Sequence, residues 1–131
     1  MKWLAKGSKA ALAVYWLAMF AGTHYPKPEQ ISPNVSDKLL HFGAYAGLTW
    51  LWVLVIVVRR PLHLRDGLWI GLGLAVYGAL DELLQIPVGR HCDINDWYAD
   101  MGGVAGALVA AYLVQSVWLR FRGPRAQGPE C

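Results

Sequence analysis

"DKLLHFGAYAGLTWLWVLVIVVRR", residues 37–60, decides how this chain is read. After Asp37 and Lys38 it runs without a formal charge to Val58, and then stops at Arg59 and Arg60. A helix needs about 20 mostly apolar residues to cross about 30 Å of hydrocarbon, and this run has that length. The same segment carries a polar row. Asp37, His41 and Tyr45 follow one another at i, i+4 spacing, which stacks them along one face of a helix, with Lys38 beside them. Ser36 or Asp37 supplies the N-cap. The stretch therefore predicts a membrane span whose first turns are chemically equipped.

Composition agrees with a bilayer. The chain of 131 residues is 56% hydrophobic and only 16% charged, with seven Trp, whereas soluble domains carry about 25% charged residues. Three further segments approach spanning length, giving four spans at about 7–23, 38–58, 67–86 and 96–119. The expected fold is all-α: an integral membrane bundle of four transmembrane helices, forming a single domain over 1–122 with a disordered tail at 123–131. A cleaved signal peptide is the alternative for the first segment, which has a basic start, a short apolar core and a small-residue "AGT".

Positive residues sort by connection. Lys2, Lys6 and Lys9 precede the first span, Arg59, Arg60 and Arg65 fill the second connection, and Arg120, Arg122 and Arg125 follow the last. Such clusters stay in the cytoplasm, so both termini are expected there, in a multi-pass protein of a bacterial cytoplasmic membrane. The connection "HYPKPEQISPNVSD" then lies outside, where it caps the bundle. Cys92 and Cys131 form no CxxC, so neither a disulfide framework nor a zinc motif is indicated.

The second polar concentration is "YGALDELLQIPVGRHCDINDWYAD", residues 77–100. Tyr77, Asp81 and Gln85 form an i, i+4 row, with Glu82 adjacent. An ionisable group within a span faces the bundle interior and marks function by default; Asp81 by itself reads as an interfacial cap. Asp93, Asp96 and Asp100 recur at helical spacing and continue into Gly103 and Ala107, while Gly102 and Gly106 make a GxxxG that permits close helix contact. Asp93 and Asp96 also suit a helix N-terminus. With the inferred orientation all three rows reach the same outer end, so the acids are expected to meet in one polar pocket, with Lys38, Arg90 and His41 as countercharges.

These residues carry a resemblance to the VanZ-like family of small bacterial membrane proteins. The chain is similar to that family from about residue 37 to 106: an Asp-Lys-x-x-His-Phe-x-x-Tyr run at Asp37, Lys38, His41, Phe42 and Tyr45; then Tyr77, Glu82, Gln85, Pro87 and Gly89-Arg90; then Asp96, Asp100 and a glycine-rich helix with Gly103 and Gly106. The chain departs from the pattern at Asp100, where many members have Asn, and at Asp81, which has no counterpart in it. The resemblance implies a membrane protein with this site. The family takes its name from a teicoplanin-resistance protein, but most members have no assigned activity, so it implies resistance only weakly.

The leading expectation is a binding protein whose outer-facing pocket takes an envelope lipid headgroup, a wall precursor or an amphiphilic antibiotic such as a glycopeptide. Its candidate ligand-binding residues are Asp37, Lys38, His41, Tyr45, Tyr77, Glu82, Gln85, Arg90, Asp93, Asp96 and Asp100. Membrane lipids are its partners and nucleic acid is not. One alternative is a lipid-linked hydrolase with His41 or Glu82 as general base and Arg90 stabilising developing charge; the chain has no GxSxG and no HExxH, and Cys92 has only His91 beside it. Another is a small accessory subunit of a larger membrane complex. Asp93, Asp96, Asp100 and Glu82 offer oxygen ligands of the kind hard cations take, but without a metal-loop signature neither metal nor cofactor is expected.

Overall fold

The computed structural model describes residues 2–25, 36–90 and 92–121. They form four helices: α1 (Lys2–Thr23), α2 (Asp37–Val57), α3 (Leu64–Gln85) and α4 (Ile94–Phe121), with one 3-10 turn at Ile86–Val88. The segments α2, Leu64–Val88 and α4 are each long and apolar enough to cross a membrane. α1 is equally helical but opens with Lys2, Lys6 and Lys9. Most of the proline-rich connection and the C-terminal tail lie outside the described residues, as does His91.

All four helices begin ahead of the expected spans, α3 and α4 for local reasons, while α2 and α3 end one residue earlier than expected. α3 begins at Leu64, so it includes Arg65, which had been expected in the connection. Asp66 makes this start: its Oδ2 accepts from the His63 backbone N–H at 2.9 Å, and both its oxygens accept from Arg60 at 2.6 and 2.7 Å. At the far end of α3, Pro87 sits in the 3-10 turn and Gly89 takes φ 81°, the left-handed conformation that glycine adopts without strain. The chain closes there by a bond from the Arg90 N–H to the Gln85 carbonyl, 3.2 Å. α4 starts on Asp93, whose Oδ1 accepts from the Asn95 N–H at 2.9 Å, as an N-cap does.

The central pairing is α2 on α4, flanked by α1 against α2 and α3 against α4. Gly103 permits it. A Cβ there would collide with the Phe42 carbonyl oxygen and lie 3.0 Å from the Ala46 nitrogen. The expected GxxxG glycines are looser: a Cβ on Gly102 would meet the Phe42 ring at 3.4 Å, and one on Gly106 at 3.9 Å. The Asp96, Asp100, Gly103, Ala107 row is thus the buried face of α4, ahead of the Gly102–Gly106 face.

Leu12, Met19, Leu48, Val53, Ile70, Leu74 and Val104 form the apolar core. Around α3 the polarity is inverted relative to a protein in water. Leu80, Leu83 and Leu84 are 51, 56 and 50% exposed, while the interleaved Asp81, Glu82 and Gln85 are 0, 3 and 1% exposed. An apolar exterior over a polar interior suits hydrocarbon surroundings, and together with the three span-length helices it supports a membrane protein.

Candidate functional site

The polar rows of α2, α3 and α4 meet at one end of the bundle, that of Asp37, Gln85 and Asp96. Two ion-pair groups form its rim. Arg90 donates to Asp37 at 2.5 Å and to the Thr23 carbonyl at 2.8 Å, linking the chain after α3 to α2 and α1. Lys38 donates to Asp93 at 3.0 Å and to Asp96 at 3.2 Å, linking α2 to α4. The Asn95 backbone N–H and Lys38 together hold the Asp93 carboxyl down, at a pKa of about 2.

A buried layer lies beneath. His41 Nδ1 and Asp100 Oδ1 are hydrogen-bonded at 3.0 Å, and Glu82 Oε1 is 3.9 Å from the same nitrogen. The other Glu82 oxygen accepts from the Asp93 N–H at 2.9 Å. Tyr45 and Tyr77 lie alongside with ring centroids 6.1 Å apart. Gly78 leaves room for them: a Cβ there would lie 3.3 Å from Asp100 Oδ2 and 3.4 Å from the Tyr45 hydroxyl.

All eleven residues expected from sequence therefore lie on or beside this cluster. Asp81 needs correction. Instead of capping at an interface it is fully buried, accepts from Thr23 Oγ1 at 3.3 Å, and has His24 Nδ1 at 3.7 Å. Sequence reasoning missed Thr23, His24 and Gly78; the "GTH" ending the first apolar run was the available signal for the first two, and Gly78 had none. Cys92 is exposed and outside the buried layer.

Eight buried side-chain atoms here make no hydrogen bond of good geometry among the described residues: His24 Nε2, His41 Nε2, the Tyr45 and Tyr77 hydroxyls, Asp81 Oδ2, Glu82 Oε1, Gln85 Nε2 and Asp100 Oδ2, although Tyr77 and Gln85 lie close enough to interact with the Asp81 carboxyl. A buried polar atom left unsatisfied costs about 1–3 kcal/mol. A cleft of about 190 Å³ between α1 and α2 reaches the cluster; its walls include Met19, Gly22, Leu40 and Ala44, and its polar end Asp37, His41 and Arg90. Among the described residues two groups have donor atoms close enough to share an ion: His41, Glu82 and Asp100, all buried, and Asp37, His41 and Asp96. Neither is the Asp93, Asp96, Asp100, Glu82 set considered from sequence, because Asp93 turns to cap α4 and pair with Lys38.

No family model matches the chain, and neither curated proteins nor solved structures give a significant match. The VanZ-like resemblance accordingly rests on the motif residues themselves.

Proposed function

We propose that this chain is a VanZ-like protein of a bacterial cytoplasmic membrane that binds the polar head of an envelope amphiphile in an outer-facing site. In this reading all four helices cross the bilayer, with both termini cytoplasmic, because each cluster of lysines or arginines then falls inside. The observation that carries the reading is a layer of buried polar atoms without hydrogen-bond partners among the described residues, reached through His41 from a cleft with apolar walls. A tail in lipid reaches such a cleft sideways between α1 and α2, and its head meets the Asp37–Arg90 pair and His41. Hydrogen bonds to charged groups shielded from water are about twice as strong as neutral ones.

The test uses protein extracted gently in detergent and weighed intact by native mass spectrometry. Wild type retains a bound amphiphile of defined mass. Arg90→Ala and Glu82→Gln keep their helical content but lose at least about 90% of it, as expected for loss of about 1.4 kcal/mol or more. Equal retention by all three contradicts the reading.

The His41–Asp100 hydrogen bond favours one second reading, since a carboxylate-oriented imidazole is the arrangement of a general base. Lipid-linked substrates incubated with the protein then yield a hydrolysed product that His41→Gln abolishes. Recovery of unchanged lipid dismisses that reading and leaves binding.

A further inference from the structure

We propose that His41, Glu82 and Asp100 form a binding site for a divalent transition-metal ion, of the Zn²⁺ or Mn²⁺ type, held between α2, α3 and α4. One donor comes from each of three helices, and the three ligand atoms lie within 4.8 Å of one another. Each residue is more than nine-tenths buried, so the group is shielded from water.

Three observations point these side chains at an ion. Glu82 Oε1 and Asp100 Oδ2 are buried without partners among the described residues, although both belong to carboxylates that need strong donors or a cation. Next, the spacing fits. His41 Nδ1 lies 3.0 Å from Asp100 and 3.9 Å from Glu82, which brackets the about 3.4 Å edge of a tetrahedron with metal–ligand bonds of about 2.1 Å. Finally, Glu82 is already oriented: its Oε2 accepts the Asp93 N–H at 2.9 Å, leaving Oε1 directed toward the imidazole. A hydrogen bond of this kind to the non-ligating atom is what positions metal-binding carboxylates.

Charge argues the same way. Among the described residues six carboxylates gather at this end (Asp37, Asp81, Glu82, Asp93, Asp96 and Asp100), and the fixed cations Lys38 and Arg90 are committed to Asp37, Asp93 and Asp96. Among the described residues, the groups able to carry positive charge beside Asp81, Glu82 and Asp100 are the imidazoles of His24 and His41. One divalent ion neutralises the Glu82–Asp100 pair. Mixed imidazole and carboxylate donors suit Zn²⁺ and Mn²⁺ better than Ca²⁺ or Mg²⁺, which prefer oxygen alone. Metal at Nδ1 requires the Nε2–H tautomer of His41: from the neutral imidazole the Nδ1 proton moves to Nε2 with no net release, and from the imidazolium the Nδ1 proton is released. The sequence shows no metal-loop spacing because the donors come from three helices.

The inference rests on the proposed binding reading only in assigning this cluster a ligand, and its test needs no amphiphile. Full-length protein in detergent is stripped with chelator and titrated with Mn²⁺ alone, followed by calorimetry and electron paramagnetic resonance. Wild type binds one ion per chain, with nitrogen coupling from one imidazole. Glu82→Gln and Asp100→Asn weaken binding at least about tenfold, whereas Asp66→Asn, an acid lost from the opposite end, leaves it unchanged. Absence of saturable binding, or binding without imidazole coupling, overturns the proposal whether or not the variants fold. Amphiphile retention measured on the same stripped protein shows separately whether the headgroup reading stands.

Discussion

Gly103 and Lys38 show how single positions control this end of the molecule. Replacing Gly103 with Leu drives a side chain into the Phe42 carbonyl, backbone that cannot swing aside, and overpacking of this kind costs about 1–3 kcal/mol even where side chains yield. Gly103→Leu therefore fails to give a monodisperse folded protein in detergent. Gly102→Ala, facing only a ring edge at 3.4 Å, keeps wild-type behaviour in the same assay. The row containing Gly103 was legible from the spacing of Asp96 and Asp100; its precedence over Gly102 and Gly106 was not, because sequence does not reveal which glycine face meets backbone. The Asp93 carboxyl, held at about 2 by the Asn95 N–H and Lys38, has a lowered pKa. Its contribution is fully present above the ordinary aspartate value of about 3.9 and is lost only as pH falls through about 2. Its carbon resonance therefore stays unchanged from pH 7 to about 4.

Helix by helix, polar side chains bonded to backbone or to one another hold the bundle at both ends. α1 is tied to α2 by the Tyr15 hydroxyl, which donates to the Ala44 carbonyl at 3.1 Å over Gly47, and to α3 by Thr23 on Asp81. Away from the acidic cluster, Gln115 of α4 accepts from the Leu62 N–H at 2.6 Å and donates to the Leu62 carbonyl at 2.8 Å. Gln115→Leu leaves both groups unpaired and lowers stability by about 2 kcal/mol, read as an earlier thermal transition, while Gln115→Glu keeps only the acceptor and falls between. The existence of α2, α3 and α4 was plain from their apolar lengths. These ties were hidden, since a lone Gln in an apolar helix names no partner when the partner is a main-chain group far along the sequence.

For the whole molecule, the polar interior and apolar exterior are one fact seen from two sides: Asp81, Glu82 and Gln85 turn inward because Leu80, Leu83 and Leu84 turn outward. Sequence disclosed that the acids would meet, through the i, i+4 rows and the alternating directions of the spans; it did not disclose that the end of α1 would add Thr23 and the turn after it His24. With both termini inside, Cys92 is reached from outside intact cells by an impermeant maleimide in a Cys131→Ser background, and no labelling there contradicts the proposed orientation. The central claim is that this buried cluster exists to hold a ligand. Native mass spectrometry of the intact protein, wild type beside Glu82→Gln, tests it most directly. The account predicts a bound mass on the folded wild type that the folded variant has lost; a folded wild type that carries nothing, or the same mass on both proteins, would contradict it.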